Sequence, residues 1–255
     1  MNFEKVGKKI CEIKNNVRYK NKNKIYICNE TFEGNEKIND FSELELQSGQ
    51  FQLSPSKDIE RQTIYVCGES GSGKSYFVSE YIVEYHKIFP KNEIYLVSEQ
   101  TEDPAFDKLD YVKRVEIDGL DKDPIHYREF DNSLVIFDDV DCIKGKLGKE
   151  VLLLRDRLLK NSRKYRTSVI VTNHSCTGLD VKACLNECMV ICFFMLNYNR
   201  SLKYLLENYI GISKTGILKL RKNASKSRWT CYMKGFPSVI MQQRYITTIN
   251  KLEQL

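Results

Sequence analysis

The chain has 255 residues, 42% of them hydrophobic and 29% charged, with a formal net charge of +6. That length and apolar content allow one large α/β domain with small additions, and they exclude a disordered or fibrous chain. No run approaches the roughly 18 apolar residues of a membrane span, and the first residues lack an apolar signal core, so an intracellular protein with no membrane partner is expected.

From the start, residues 1–24 (MNFEKVGKKICEIKNNVRYKNKNK) hold eight Lys/Arg against two acidic residues, a balance of +6 that leaves 32 charges of each sign elsewhere. A leader so basic and Asn-rich reads either as a solvated extension or as a contact for nucleic acid or another acidic partner. A short strand at 24–28 (KIYIC) precedes a polar stretch over 29–60 without helical periodicity, with another strand at 50–54 (QFQLS). The main architecture begins at 63–67 (TIYVC), an apolar strand running into a Gly-rich turn. Over 75–87, Phe77, Val78, Tyr81, Ile82 and Tyr85 recur at three- and four-residue spacing, which predicts a helix that Pro90 helps to end.

Further strands read at 93–98 (EIYLVS), 114–117 (RVEI), 133–141 (SLVIFDDVD), 167–175 (TSVIVTNHS) and 189–194 (MVICFF), with a helix at 149–160. Apolar runs alternating with helical segments point to an α/β fold with a mostly parallel sheet covered on both faces. Helices at 201–210 and 213–222 and strands at 228–233 and 238–243 complete the chain. The expected organisation is an N-terminal extension over 1–60, a core over 61–196 and a C-terminal helical and strand addition over 197–255.

Nine cysteines, an odd number, favour reduced thiols. Cys184, Cys188 and Cys192 recur every four residues with His174 nearby in sequence, which raises a zinc site. The paired Cys-x-x-Cys knuckles of common zinc modules are absent, so these are read as small core hydrophobes.

The segment Gly68-Glu69-Ser70-Gly71-Ser72-Gly73-Lys74-Ser75 fits Gly-x-x-x-x-Gly-Lys-Ser, the Walker A phosphate-binding loop. Its glycines let successive backbone N–H groups turn inward toward phosphate oxygens, and the helix that follows adds its N-terminal positive end. Lys74 would bridge β- and γ-phosphates and the Ser75 hydroxyl would ligate Mg²⁺, which makes ATP and Mg²⁺ the expected cofactors. The loop lies between an expected strand and an amphipathic helix, the context the chemistry needs.

Three later strand ends carry the rest. Asp138, closing LVIFD, is the expected carboxylate on the Mg²⁺ side, and Asp139 the expected base that orients water. An Asp in that second position is one methylene shorter than the Glu of many ATPases. Asn173 is the expected sensor of the γ-phosphate, because an amide can hold both water and a phosphate oxygen, with His174 as the alternative. Arg163 and Arg166 just before that strand are candidates to neutralise phosphoryl charge in a neighbouring subunit, or else are a basic helix end.

With GESGSGKS (68–75), LVIFDD (134–139) and SRKYRTSVIVTNHS (162–175) in this order, the chain resembles the FtsK/HerA-like genome-packaging ATPases of large DNA viruses, the poxvirus-type family. The resemblance spans 64–194. It implies a RecA-like P-loop NTPase core, assembly of identical subunits into a ring, ATP hydrolysis at their interfaces and translocation of double-stranded viral DNA into capsids. It also implies a place in the host cytoplasm, a viral factory or the virion, with capsid proteins as partners. Members often carry Gln where this chain has Asn173-His174. The segment 219–234 offers Lys219, Arg221, Lys222, Lys226 and Arg228 beside Trp229, either a phosphate-tracking stripe or a solvated face over a core Trp. Other readings of the same loop are a P-loop ATPase in DNA handling or virion assembly, a nucleotide or small-molecule kinase, and a scaffold with a relic pocket.

Overall fold

Strand formation begins inside the basic leader. In the computed structural model, which describes residues 1–28 and 40–254, β1 (Lys8–Lys14) buries Ile10, Cys11 and Ile13. Its Lys9 and Lys14 both meet Glu12, at 3.2 and 3.0 Å, so its charges are paired along an apolar strand. Within the leader, residues 8–14 are held in a sheet, because three buried apolar residues between the lysines suffice to hold them there, while most of 15–24 is exposed. β2 (Lys24–Ile27) and β4 (Gln50–Leu53) flank β1 in antiparallel pairing, and β3 (Glu43–Glu45) lies between them in sequence. Of the polar stretch expected over 29–60, residues 29–39 lie outside the described residues.

The described residues divide into two compact units, Met1–Ile59 with Phe193–Leu255, and Glu60–Cys192. The second unit holds β5 (Thr63–Cys67), α1 (Lys74–Ile88), β6 (Ile94–Ser98), β7 (Val112–Arg114), β8 (Leu134–Asp138), α2 (Gly145–Asn161), β9 (Ser168–Asn173), α3 (Lys182–Glu187) and all but the last residue of β10 (Val190–Phe193). Every residue of β5, β8 and β9 is buried, so side chains directed to either face of the sheet are covered. The strand order is β10-β5-β9-β8-β6-β7, and the pairs from β5 to β7 are parallel. β9 thus lies between the phosphate-loop strand and the Asp-Asp strand, the RecA-like arrangement. The strand expected at 114–117 sits earlier, at Val112–Arg114, and α2 starts four residues before the expected 149, at Gly145.

Register determines what this sheet can do. Cys67 is level with Asn173 across β5 and β9, Phe137 with Val171 across β8 and β9, and Ser98 with Asp138 across β6 and β8. The carboxyl ends of four strands therefore form one row, the edge where ligands bind in open parallel sheets.

The first unit regains the chain with α4 (Arg200–Tyr204), which continues into a π-helical turn over Leu205–Ile210, and then α5 (Lys214–Ala224). β11 (Thr230–Met233), β12 (Val239–Gln242) and β13 (Tyr245–Thr248) form an antiparallel meander that pairs onward to β3, and α6 (Ile249–Glu253) follows. The basic stretch over 219–234 is largely engaged within this unit. Lys219 Nζ donates to the carbonyls of Leu252 and Gln254 (2.9 and 2.6 Å), and Lys226 meets Glu45 at 3.1 Å. The Arg221 guanidinium lies 4.7 Å from the centre of the Tyr198 ring, and Trp229 is buried. No helix among the described residues is long and apolar enough to cross a membrane.

Candidate nucleotide and catalytic site

The Gly-rich turn between β5 and α1 needs backbone angles that side chains oppose. Gly71 (φ 74°) and Gly73 (φ 107°) both occupy the left-handed region, and Gly73 is the residue from which α1 starts. The Gly68 N–H donates to the Asn173 carbonyl (3.0 Å), which ties the start of the loop to the end of β9. Lys74 is buried although it is a lysine. Its ammonium donates to the Gly68 carbonyl at 3.1 Å and lies 3.4 Å from Asp139 Oδ2 and 3.5 Å from His174 Nδ1.

Asp138 closes the otherwise apolar β8, Asp139 follows it, and both are gripped by Thr172 near the end of β9. The Thr172 hydroxyl donates to Asp138 Oδ1 (2.7 Å), and the same oxygen accepts the Asp139 N–H (3.0 Å). Asp139 takes a left-handed backbone (φ 46°), which turns its carboxylate toward Lys74 and His174. Burial pushes the Asp138 carboxyl up to about 6 from 3.8; nearby Asp139 and Asp103 add to the rise, while the Thr172 hydrogen bond and Lys74 oppose it. A divalent cation beside Asp138 would remove that cost.

These groups converge on one cavity of about 310 Å³ whose lining includes Gly71, Lys74, Ser75, Asp138, Asp139 and His174. Ser70, Gly73, Tyr76, Gln100 and Asp103 complete the lining, and Glu69 stands exposed on the loop. A hydroxyl and a buried carboxylate, Ser75 and Asp138, both line the cavity and are hard oxygen donors. They fit Mg²⁺, which keeps several waters and takes its other ligands from phosphates. Ser75 and Asp138 are the residues that would hold it.

Two expectations look different on this geometry. The Asn173 side chain accepts the Ser175 N–H (3.2 Å) and is buried, whereas His174 lines the cavity and meets both Lys74 and Asp139. Of the two, it is the histidine that contacts Lys74. Arg163 and Arg166 sit at the opposite end of β9 from the phosphate loop, both exposed, and Arg163 is paired with Glu60. The chain's own site does not include them. Asp103 and Gln100 were not legible as site residues, because they belong to a loop with no motif and reach the cavity only through the β6/β8 register. Thr172 carried one signal, a polar residue at the end of a buried strand.

Cys184, Cys188 and Cys192 are buried, and His174, the fourth member of the zinc alternative, lines the cavity beside Lys74. Among the described residues no cluster of His, Cys, Asp and Glu has the geometry to hold a metal ion through protein ligands alone.

Fold and site together define a protein of the P-loop class. No family profile matches the sequence. The chain belongs to the family of the Sputnik virophage protein described as "Uncharacterized protein V3", with 32% identity over 253 residues covering 98% of both chains. Among solved structures it is similar to B204, the DNA-packaging ATPase from Sulfolobus Turreted Icosahedral Virus, at a TM-score of 0.50 and 14% identity, over 73% of this chain and 98% of that one. The genome packaging NTPase B204 from Sulfolobus turreted icosahedral virus 2, in complex with ATP-gammaS, gives a TM-score of 0.47 and 16% identity over 72% and 97% of the two chains. The first of these structural likenesses is a likeness of fold.

Proposed function

We propose that the chain is an ATP-hydrolysing motor that moves viral double-stranded DNA into capsids as a ring of identical subunits. The observation that carries this reading is the convergence of Lys74, Asp138, Asp139 and His174 on one cavity at adjacent strand ends. A relic pocket would not keep a buried lysine and a buried carboxylate in place, because each is costly to bury without a use.

In this reading the loop N–H groups and Lys74 bind the β- and γ-phosphates, and Asp139 belongs to the base that activates the attacking water. Mg²⁺ bound at Ser75 and Asp138 would neutralise charge on the phosphates. The virophage relative and the B204 fold favour a viral motor over a cellular enzyme. An ATPase acting elsewhere in DNA handling or virion assembly would share this site. A kinase is less well supported, since the sequence shows no compact arginine-rich lid, and within 221–228, the one stretch that could be mistaken for one, Arg221 and Lys226 are engaged by Tyr198 and Glu45 of their own unit.

The test is ATP turnover with and without double-stranded DNA, together with mass measurement of the assembly. Stimulation by DNA and loss of turnover in Lys74→Ala are expected. If DNA alters neither turnover nor assembly, the motor reading fails, and phosphate transfer to a nucleoside monophosphate would establish the kinase.

A further inference from the structure

The second strand-end acid of this site is short. Asp139 has one methylene fewer than Glu, and its carboxylate is turned inward, within 3.4 Å of Lys74 Nζ. Beyond it stands His174, whose Nε2 lies 3.1 Å from Asp139 Oδ2 and whose Nδ1 faces Lys74 Nζ at 3.5 Å. The partners settle the tautomer. A carboxylate can only accept, so Nε2 carries the proton; an ammonium can only donate, so Nδ1 presents its lone pair. The half-exposed imidazole shares the cavity wall with Lys74 and Asp139.

We infer that Asp139 and His174 act as one base, with the imidazole taking the proton of the attacking water and Asp139 orienting the ring and holding its charge. The inference rests on the hydrolysis reading above. When Lys74 turns to the phosphates, Nδ1 loses its donor and is left with a lone pair beside the γ-phosphate position. A water there becomes its new donor. The water oxygen forms a bond to the γ-phosphorus and its proton passes to Nδ1. The bond from that phosphorus to the bridging oxygen breaks, its electron pair staying on ADP. Asp139 stabilises the imidazolium until the proton leaves to solvent, as a carboxylate steadies histidine in other hydrolytic dyads. The histidine thus supplies the reach that the shorter acid lacks.

The experiment compares His174→Gln, Asp139→Asn and the double variant, measuring turnover and the affinity of a non-hydrolysable ATP analogue. Glutamine keeps a hydrogen-bonding head but cannot take a proton. Each single variant is expected to lose about 10²- to 10⁴-fold in kcat, the usual contribution of a general base, while analogue binding persists and reports an intact fold. The double variant should fall no further than the worse single one, because groups acting as a unit are not additive. Wild-type turnover in His174→Gln overturns the dyad and leaves Asp139 as the sole base. A loss of turnover matched by an equal loss of ATP affinity overturns it too, making His174 a phosphate contact. Absence of ATP turnover in the unaltered chain defeats the hydrolysis reading itself, and the dyad with it.

Discussion

Lys74 Nζ lies 3.4 Å from Asp139 Oδ2, so a nucleotide's phosphates must compete with Asp139 for this ammonium. Removing the carboxylate charge should then help binding while it harms hydrolysis. Asp139→Asn is expected to tighten binding of an ATP analogue by about fivefold, equivalent to ~1 kcal/mol for a partly exposed ion pair. A fluorescence titration at fixed ionic strength measures it. Weaker binding in the variant would show that Asp139 helps to hold the loop rather than competing for its lysine.

Asp138 makes the stability of the protein depend on pH in an unusual direction. Its carboxyl is pushed up to about 6 in the folded chain against 3.8 for a free side chain, chiefly because it is buried. Between those values the folded state binds more protons than the unfolded one, so stability falls as pH rises through this window. Asp138→Asn removes the penalty. In EDTA and without nucleotide, the variant should melt higher than the parent at pH 7.5, by the equivalent of about 1–3 kcal/mol, and the gap should close below pH 4. Equal melting at both pH values would mean that Asp138 is better solvated than its burial implies.

How much of this was legible in the sequence differs from part to part. Gly68–Ser75 announces its chemistry because the loop works through its own backbone, so a local pattern suffices. The strand-end acids were legible because β8 is an unbroken apolar run that stops at Asp138. The choice between Asn173 and His174 was not, since it depends on where β9 stops relative to β5 and on Asn173 turning back to Ser175. β1 hid behind its lysines, whose long stems leave an apolar strand looking basic. β13 and α6, four and five residues long, were too short to show a period.

Thr172 joins the two acids to β9, and its loss should be felt as lost stability. The hydroxyl serves Asp138 Oδ1 at 2.7 Å and the Asp139 N–H at 3.0 Å, and the residue is buried. Thr172→Val keeps the shape but leaves a buried carboxylate short of a donor and a backbone N–H without an acceptor. The expected cost is about 2–3 kcal/mol by denaturant unfolding, with Thr172→Ser recovering most of it. If valine is neutral, ordered water fills the role and the Asp138 carboxyl is less dependent on Thr172 than its geometry indicates.

Arg166 tests whether the site is completed by a neighbour. It precedes the six-residue β9, whose far end meets the phosphate loop, and at about 3.3 Å per residue the separation is roughly 20 Å. An arginine side chain cannot span that distance, so any effect on hydrolysis must be exerted on another subunit. Arg166→Gly suits the left-handed backbone there (φ 50°) and should leave the fold and the affinity of each subunit for an ATP analogue intact. Turnover by the assembled protein should drop by about 10³-fold or more, the usual worth of an arginine supplied in trans. Mixing Arg166→Gly subunits with Lys74→Ala subunits then pairs an intact loop with an intact arginine at some interfaces. Partial recovery of turnover in the mixture is the expected result. A mixture as inactive as its components, or an Arg166→Gly protein as active as the parent, would remove this arginine from the catalytic interface.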